Sequence, residues 1–163
     1  MLIRSLDPLR DQEALEGLLR RLADYILLEW GREPDASLVA EYFDDAPPGG
    51  DPATSLKLGL FESDELLGVA DMAFGYPERH DAYIGRMLLA QAIRGQGLGL
   101  LFLRHLEQAA RARGATRLLL TVLAVNPRGR SFWEREGFGR PMEYPPTVIG
   151  NRTHACTRLE KPL

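Results

Sequence analysis

The sequence predicts a mixed α/β fold (an α+β mixed sheet), with parallel and antiparallel strands and helices on the sheet's faces. Three observations lead there. Three strand-like segments follow one another between residues 55 and 90, and the first two read as a hairpin. Residues 82–125 then run strand, helix, strand, which together with the hairpin implies a mixed sheet. Residues 116–125 are nearly all apolar (Leu118, Leu119, Leu120, Val122, Leu123), as in a strand covered on both faces.

The elements follow in order. Residues 2–6 form a short apolar strand. Asp7 and Pro8 then read as the N-cap and first residue of a helix over 8–30. Its stripe is Leu15, Leu18, Leu19, Leu22, Ile26 and Leu27. A second short helix covers 37–43. Residues 44–54, with Pro47-Pro48-Gly49-Gly50, are a loop. In the strand at 55–61, Leu56, Leu58 and Leu60 alternate with Lys57 and Gly59. Strands at 66–74 and 82–90 follow. The helix at 97–113 carries Leu98, Leu101, Phe102, Leu106, Ala109 and Ala110 on one stripe, and Gly114 closes it. After the strand at 116–125 come a short helix at 127–136 and strands at 138–142 and 154–159. The order is β-α-α-β-β-β-α-β-α-β-β.

A chain of 163 residues suits one domain spanning 1–163. No apolar run approaches the ~20 residues that cross a bilayer, so no membrane partner is expected. Nor does the N-terminus resemble a signal peptide. Cys156 is the only cysteine, which fits a reducing cytoplasm. The net charge of −3 is unevenly spread. Residues 1–85 carry 7 basic and 18 acidic side chains, and residues 86–163 carry 13 and 5. Two readings stay open: a solvated surface, or a second half that meets an anion and a first half that draws a cation. The basic residues are scattered and not interleaved with aromatics, so nucleic acid is not expected as a partner.

The strand at 82–90 feeds the turn Arg94-Gly95-Gln96-Gly97-Leu98-Gly99, which opens the next helix. A helix start leaves about four N–H groups unpaired and carries partial positive charge. Glycines let the backbone approach closely, so the turn suits a phosphate or pyrophosphate, and Arg94 adds a bidentate fork. A P-loop would need Gly-Lys-Ser/Thr, but Leu100 follows Gly99. A Rossmann fingerprint would need a third glycine where Leu101 stands, and an acid about 20 residues on, where 115–120 has none.

Arg94-x-x-Gly97-x-Gly99 resembles motif A of the GNAT superfamily of N-acetyltransferases. Asn126-Pro127-Arg128-Gly129-Arg130-Ser131-Phe132-Trp133-Glu134-Arg135-Glu136-Gly137-Phe138 resembles its motif B. Both motifs follow the expected strands. The resemblance implies a GNAT-like sheet splayed between its fourth and fifth strands. It implies acetyl-CoA (or CoA) as co-substrate, with Gln96, Gly97, Leu98 and Gly99 holding the pyrophosphate through backbone N–H groups beside Arg94 and Gly95. It implies a pantetheine arm lying in the cleft, paired with backbone at about Leu89. Asn126 would hydrogen-bond that arm, a role compatible with capping the following helix, and Phe132 would pack beside the coenzyme. It implies transfer of the acetyl group to a primary amine, of a small molecule or peptide, by direct attack. The family often dimerises through its late strands, which implies a homodimer.

The family often has a tyrosine where Trp133 stands, and an indole N–H is no general acid near neutral pH. Trp133 therefore reads as packing. Either another acid works, or the thiolate leaves unaided, since a thiol pKa is about 8.5. Proximity supplies much of the rate, and an N–H near Leu88 or Leu89 polarises the carbonyl. An alkyl ammonium must lose a proton before it attacks. Tyr83 and Asp81 are the candidate bases, with Asp71 beside them; His80, His105 and His154 do not stand out. For the substrate wall, Glu29 and Asp71 are candidates within an acidic first half that also holds Glu33, Glu41, Asp44 and Asp45. His154-x-Cys156 is too sparse for a metal site, and none is expected. Two alternatives share this fold: an acyltransferase with another donor or acceptor, and a non-catalytic CoA sensor. A nucleotide-binding protein of another class is the outside reading.

Overall fold

A computed structural model describes residues 1–163. Its strands are β1 (Leu2–Ser5), β2 (Leu56–Glu62), β3 (Glu65–Phe74), β4 (Asp81–Leu89), β5 (Arg117–Leu123), β6 (Gly139–Ile149) and β7 (Arg152–Pro162). Its helices are α1 (Gln12–Arg21), α2 (Ala23–Trp30), α3 (Ser37–Asp44), α4 (Leu98–Ala112) and α5 (Pro127–Arg135). The strands make one sheet in the order β1-β2-β3-β4-β5-β7-β6. Every neighbouring pair is antiparallel except β4 and β5, which α4 joins as a parallel pair.

The β4–β5 pairing runs only from Asp81↔Arg117 to Ile84↔Leu120. Beyond it β4 continues to Leu89 and β5 to Leu123 without pairing, so the sheet is splayed between its fourth and fifth strands, as expected. On one face α1–α3 pack Leu15, Leu18, Leu22 and Tyr42 on Phe61, Leu66 and Val69. On the other, Phe102, Leu103, Leu106 and Ala110 of α4 pack on Leu58, Met72, Ile84 and Leu118.

Three expectations need correction. The helix over 8–30 is two helices that break at Leu22 (φ −100°, ψ 12°). Leu22 is fully buried, so the apolar stripe runs straight through the break and conceals it. Asp7 caps a turn and not the helix: its carboxylate accepts the Leu9 and Arg10 N–H groups at 2.8 Å, and α1 begins only at Gln12. The two late strands are far longer than 138–142 and 154–159. β6 and β7 each run eleven residues, closed at Gly150–Asn151. The turn packs against the end of α2, where Asn151 N–H donates to the Trp30 carbonyl at 2.9 Å.

Between β3 and β4 the register shifts: Asp71 pairs with Arg86, but Met72 pairs with Ile84. Gly85 is thus an extra residue, a β-bulge, which resets the alternation of side chains. Ala82 and Ile84 face α4; past the bulge Met87 and Leu89 do, while Leu88 joins the α1–α3 side.

Candidate active site

The first part of the site is the start of α4. Gly95 and Gly97 have φ of 80° and 82°, in the left-handed region where glycine is favoured. Gly97 is the N-cap and has no side chain to cap the helix. Nothing lies within 4 Å of where a Cβ would stand at either glycine, so the turn is open to a ligand. The first-turn amides therefore face open space with the helix dipole behind them. Gly99 has a different reason. A Cβ there would come 3.3 Å from the Phe132 ring and 3.6 Å from Leu89, so glycine lets the α5 aromatic close on α4.

The expected phosphate fork of Arg94 is otherwise engaged. Its guanidinium donates to the Leu89 carbonyl at 2.8 Å and to Asp24 of α2 at 2.6 and 3.2 Å. Asp24 is held below the usual carboxylate range by this contact. Arg94 thus ties the end of β4 to α2, and its fork is not free for an anion at the turn. Gln96 likewise turns back and donates to the Ala92 carbonyl at 2.9 Å.

The second part is the splay. Leu88 and Leu89 lie on the end of β4 that pairs with β3 but not with β5. Across the gap Asn126 caps α5, accepting the Gly129 N–H at 2.9 Å. The Tyr25 hydroxyl of α2 lies near this side chain, a half-buried phenol whose pKa burial pushes well up. Trp133 is 9% exposed and sits edge-on between Phe132 and Phe138, at ring separations of 4.9 and 5.3 Å. Its place is in the core beneath α5.

The third part is a cleft of roughly 200 Å³ on the α1–α3 face of the sheet. Asp45, Asp71, Tyr76, Tyr83 and Gly85 are among its walls. Asp71, 6% exposed, rests on the Gly85 bulge, where any Cβ would collide with its Oδ1. The Arg86 backbone N–H lies close to it, and Oδ2 has no partner. Burial pushes its carboxyl up to about 6, against the pull of Lys57 and Arg86. Arg86 lies among Asp71, Asp45 and Glu29; burial disfavours its cation, but the three carboxylates outweigh that. Its Asp45 contact is 3.6 Å. Burial raises Glu29 also, next to Arg86 and His154. Lys57 donates to the Asp45 carbonyl at 2.7 Å.

The structure separates the two expected bases. Asp81 sits at the closed end of the β4–β5 pair, where Arg117 holds both its oxygens at 2.8 and 2.7 Å. That grip lowers its pKa and leaves it unfit to accept a proton near neutrality, which corrects the expectation. Tyr83 lines the cleft, but its hydroxyl hydrogen-bonds Thr121 and burial raises its pKa, so it too is a poor base. Glu29 and Asp71 do come together, through Arg86. His154 is buried, with Nε2 at 2.6 Å from the Glu29 carbonyl, and Cys156 is buried behind β6. Sequence reasoning missed Arg86, Lys57 and Tyr25. One signal was present: a glycine inside a strand, Gly85, marks a bulge and a close approach.

The Acetyltransferase (GNAT) family model matches residues 15–138. The chain belongs to this GNAT family. An acetyltransferase from Thermus thermophilus is similar over 100% of this chain and 98% of its own, at 25% identity and a TM-score of 0.78. Ribosomal-protein-alanine N-acetyltransferase from Brucella melitensis is 20% identical over 100% of both chains, with a TM-score of 0.73. PaiA N-acetyltransferase from Thermoplasma acidophilum, in complex with coenzyme A, is 18% identical over 99% of this chain and 98% of its own, at a TM-score of 0.69. No curated protein matches the chain. As a GNAT protein it is an acyltransferase by family, and acetyl transfer is the family's reaction.

Proposed function

We propose that this protein is an acetyl-CoA-dependent N-acetyltransferase whose acceptor is a primary amine of a small molecule or peptide. One observation carries the reading: β4 and β5 part after Ile84↔Leu120, with a cleft walled by Tyr83 and Gly85 beside the point of parting and the uncapped start of α4 following the far end of β4. A pyrophosphate fits the amides from Gln96 to Gly99, since glycine holds that turn open and no side chain fills it. An extended pantetheine arm fits the gap beside Leu88 and Leu89, with Asn126 at its mouth and Phe132 flanking. Acetyl-CoA, when bound, supplies the acyl group; the chain supplies orientation, a polarising strand N–H and an acceptor cleft. Residues 1–163 act as one catalytic domain. The lone cysteine fits work in the cytoplasm. If two copies assemble, the exposed outer strand β6, with Met142, Tyr144 and Val148, is the surface for it.

The test is thiol release from acetyl-CoA with n-butylamine, benzylamine and alanine amide as acceptors. Acetylated amine appearing with one equivalent of free thiol supports the reading. Saturable coenzyme binding without turnover for any of them would overturn it in favour of a sensor.

A further inference from the structure

We infer that Asp71 receives the acceptor's ammonium group in the bulge-side cleft and takes its proton. The inference rests on the N-acetyltransferase reading and names the group that this reading leaves open.

Three observations converge on Asp71. The first is an unspent acceptor: the side chain is 6% exposed, lines the cleft, and has Oδ2 without a partner. A buried carboxylate oxygen with nothing to bond is costly unless a ligand completes it. The second is the bulge. Gly85 offers no Cβ where Oδ1 sits, so the carboxylate lies against the strand at the point where the β4–β5 pairing ends. The third is charge. The groups that face Asp71 from each packed element are Lys57 of β2, Arg86 of β4, Tyr42 of α3 and Asp45 after it, with Glu29 of α2 beyond Arg86. Tyr42 is kept neutral by burial, and its hydroxyl is spent on the Ala70 carbonyl at 3.0 Å. Three carboxylates thus surround two cations, the set carries one negative charge in excess, and its Asp45 member is partly open to solvent. The exposed Asp44 adds to the same sign. A primary ammonium completes the set, whereas a neutral or anionic acceptor does not.

In the transfer, the Asp71 carboxylate takes one proton from the ammonium and becomes a carboxylic acid. The freed nitrogen pair forms the C–N bond to the thioester carbonyl carbon, and the C–S bond breaks with its electron pair on sulfur. The second nitrogen proton neutralises the thiolate or passes to solvent, and Asp71 returns its proton to solvent. Because burial pushes its carboxyl up to about 6, Asp71 is ionised at neutral pH yet basic enough to accept.

The experiment is the pH profile of kcat/KM for the best of the three amines above, in wild type and Asp71→Asn. In wild type, kcat/KM falls as pH drops through about 6 and is flat from there to the amine's own pKa. In the variant the plateau disappears: log kcat/KM climbs with unit slope to the amine's pKa. At pH 7 the loss is about 10²-fold or more, with KM for acetyl-CoA unchanged. A variant that keeps the wild-type plateau overturns the assignment while leaving the N-acetyltransferase reading intact. Wild type that turns over none of the amines overturns both. Should the variant not fold, carbon NMR of the Asp71 carboxyl in wild type decides. Benzylamine added with CoA lowers its titration midpoint, and an unmoved midpoint overturns the assignment.

Discussion

Arg117 donates to both carboxylate oxygens of Asp81, at 2.8 and 2.7 Å, across the only stretch where β4 and β5 pair. The same guanidinium reaches Glu160 of β7 at 2.6 Å, so one side chain clasps three strands at the closed end of the splay. Asp81 is 4% exposed, and Asp81→Ala removes the Arg117 cation's best partner, leaving it Glu160 alone. The expected cost is about 1–3 kcal/mol, seen as a lower midpoint in urea. Arg117 lowers the pKa of Asp81, and this sets the sign of the pH dependence. The pair stabilises the fold above the ordinary aspartate value of about 3.9, and the contribution fades as pH falls through the lower folded value. Since Arg117 holds both Asp81 oxygens, Asp81→Asn is expected to leave the pH–rate profile in place. It lowers stability at neutral pH and flattens the acid limb of the stability curve.

Glycine at 97 is required by its backbone, not by crowding: φ is 82° and no atom lies within 4 Å of a Cβ position. Gly97→Ala therefore strains the entry to α4 by about 1–2 kcal/mol without filling the phosphate bay. The expected result is a melting midpoint lowered by several degrees and, by calorimetric titration, a Kd for CoA raised about 10-fold as the turn relaxes away from its open shape. Gly99→Ala works through contact. Its methyl would press on Phe132 at 3.3 Å, and so it moves α5 as well.

Much of this was legible in the sequence, and the gaps have physical causes. The glycine turn, the helix after it and the doubly covered β5 are local patterns, and each stands where expected. The break at Leu22 left no trace, because a buried leucine at the kink keeps the periodicity. The length of β6 was hidden by Pro141, Pro145 and Pro146. An edge strand tolerates prolines that a central strand would not, and the pattern reads as loop. Lys57 looked like the solvent side of an alternating strand, yet it is buried among carboxylates. Which polar residues meet across β2, β3 and β4 depends on register, and the bulge that sets it exists only once the strands pair. Asp71 was therefore recognisable as a candidate but not as the residue seated on Gly85 with Oδ2 unpartnered.

Trp133 stands where related sequences often carry a tyrosine, and its burial between Phe132 and Phe138 decides its role. Trp133→Phe keeps the edge-on packing and leaves kcat and its pH dependence unchanged. Trp133→Ala opens a cavity beneath α5 and costs about 3–5 kcal/mol, measured by chemical denaturation. A fall in kcat for the phenylalanine variant, with its stability intact, would instead give the indole a part in the chemistry.

Asn126 does two jobs that substitution separates. Its side-chain oxygen caps α5 through the Gly129 N–H, and its amide lies near Tyr25 at the mouth of the gap. Asn126→Asp keeps the cap acceptor but loses the amide donor; Asn126→Ala loses both. The alanine variant is expected to lose about 1 kcal/mol of stability, the usual value of an N-cap, and the aspartate variant little or none. CoA affinity falls in both, by several-fold each, if the amide serves the pantetheine arm. The comparison is sharp because stability and affinity then rank the variants differently. Asn126→Asp with wild-type affinity would assign Asn126 to the helix alone and leave the arm to the backbone of Leu88 and Leu89.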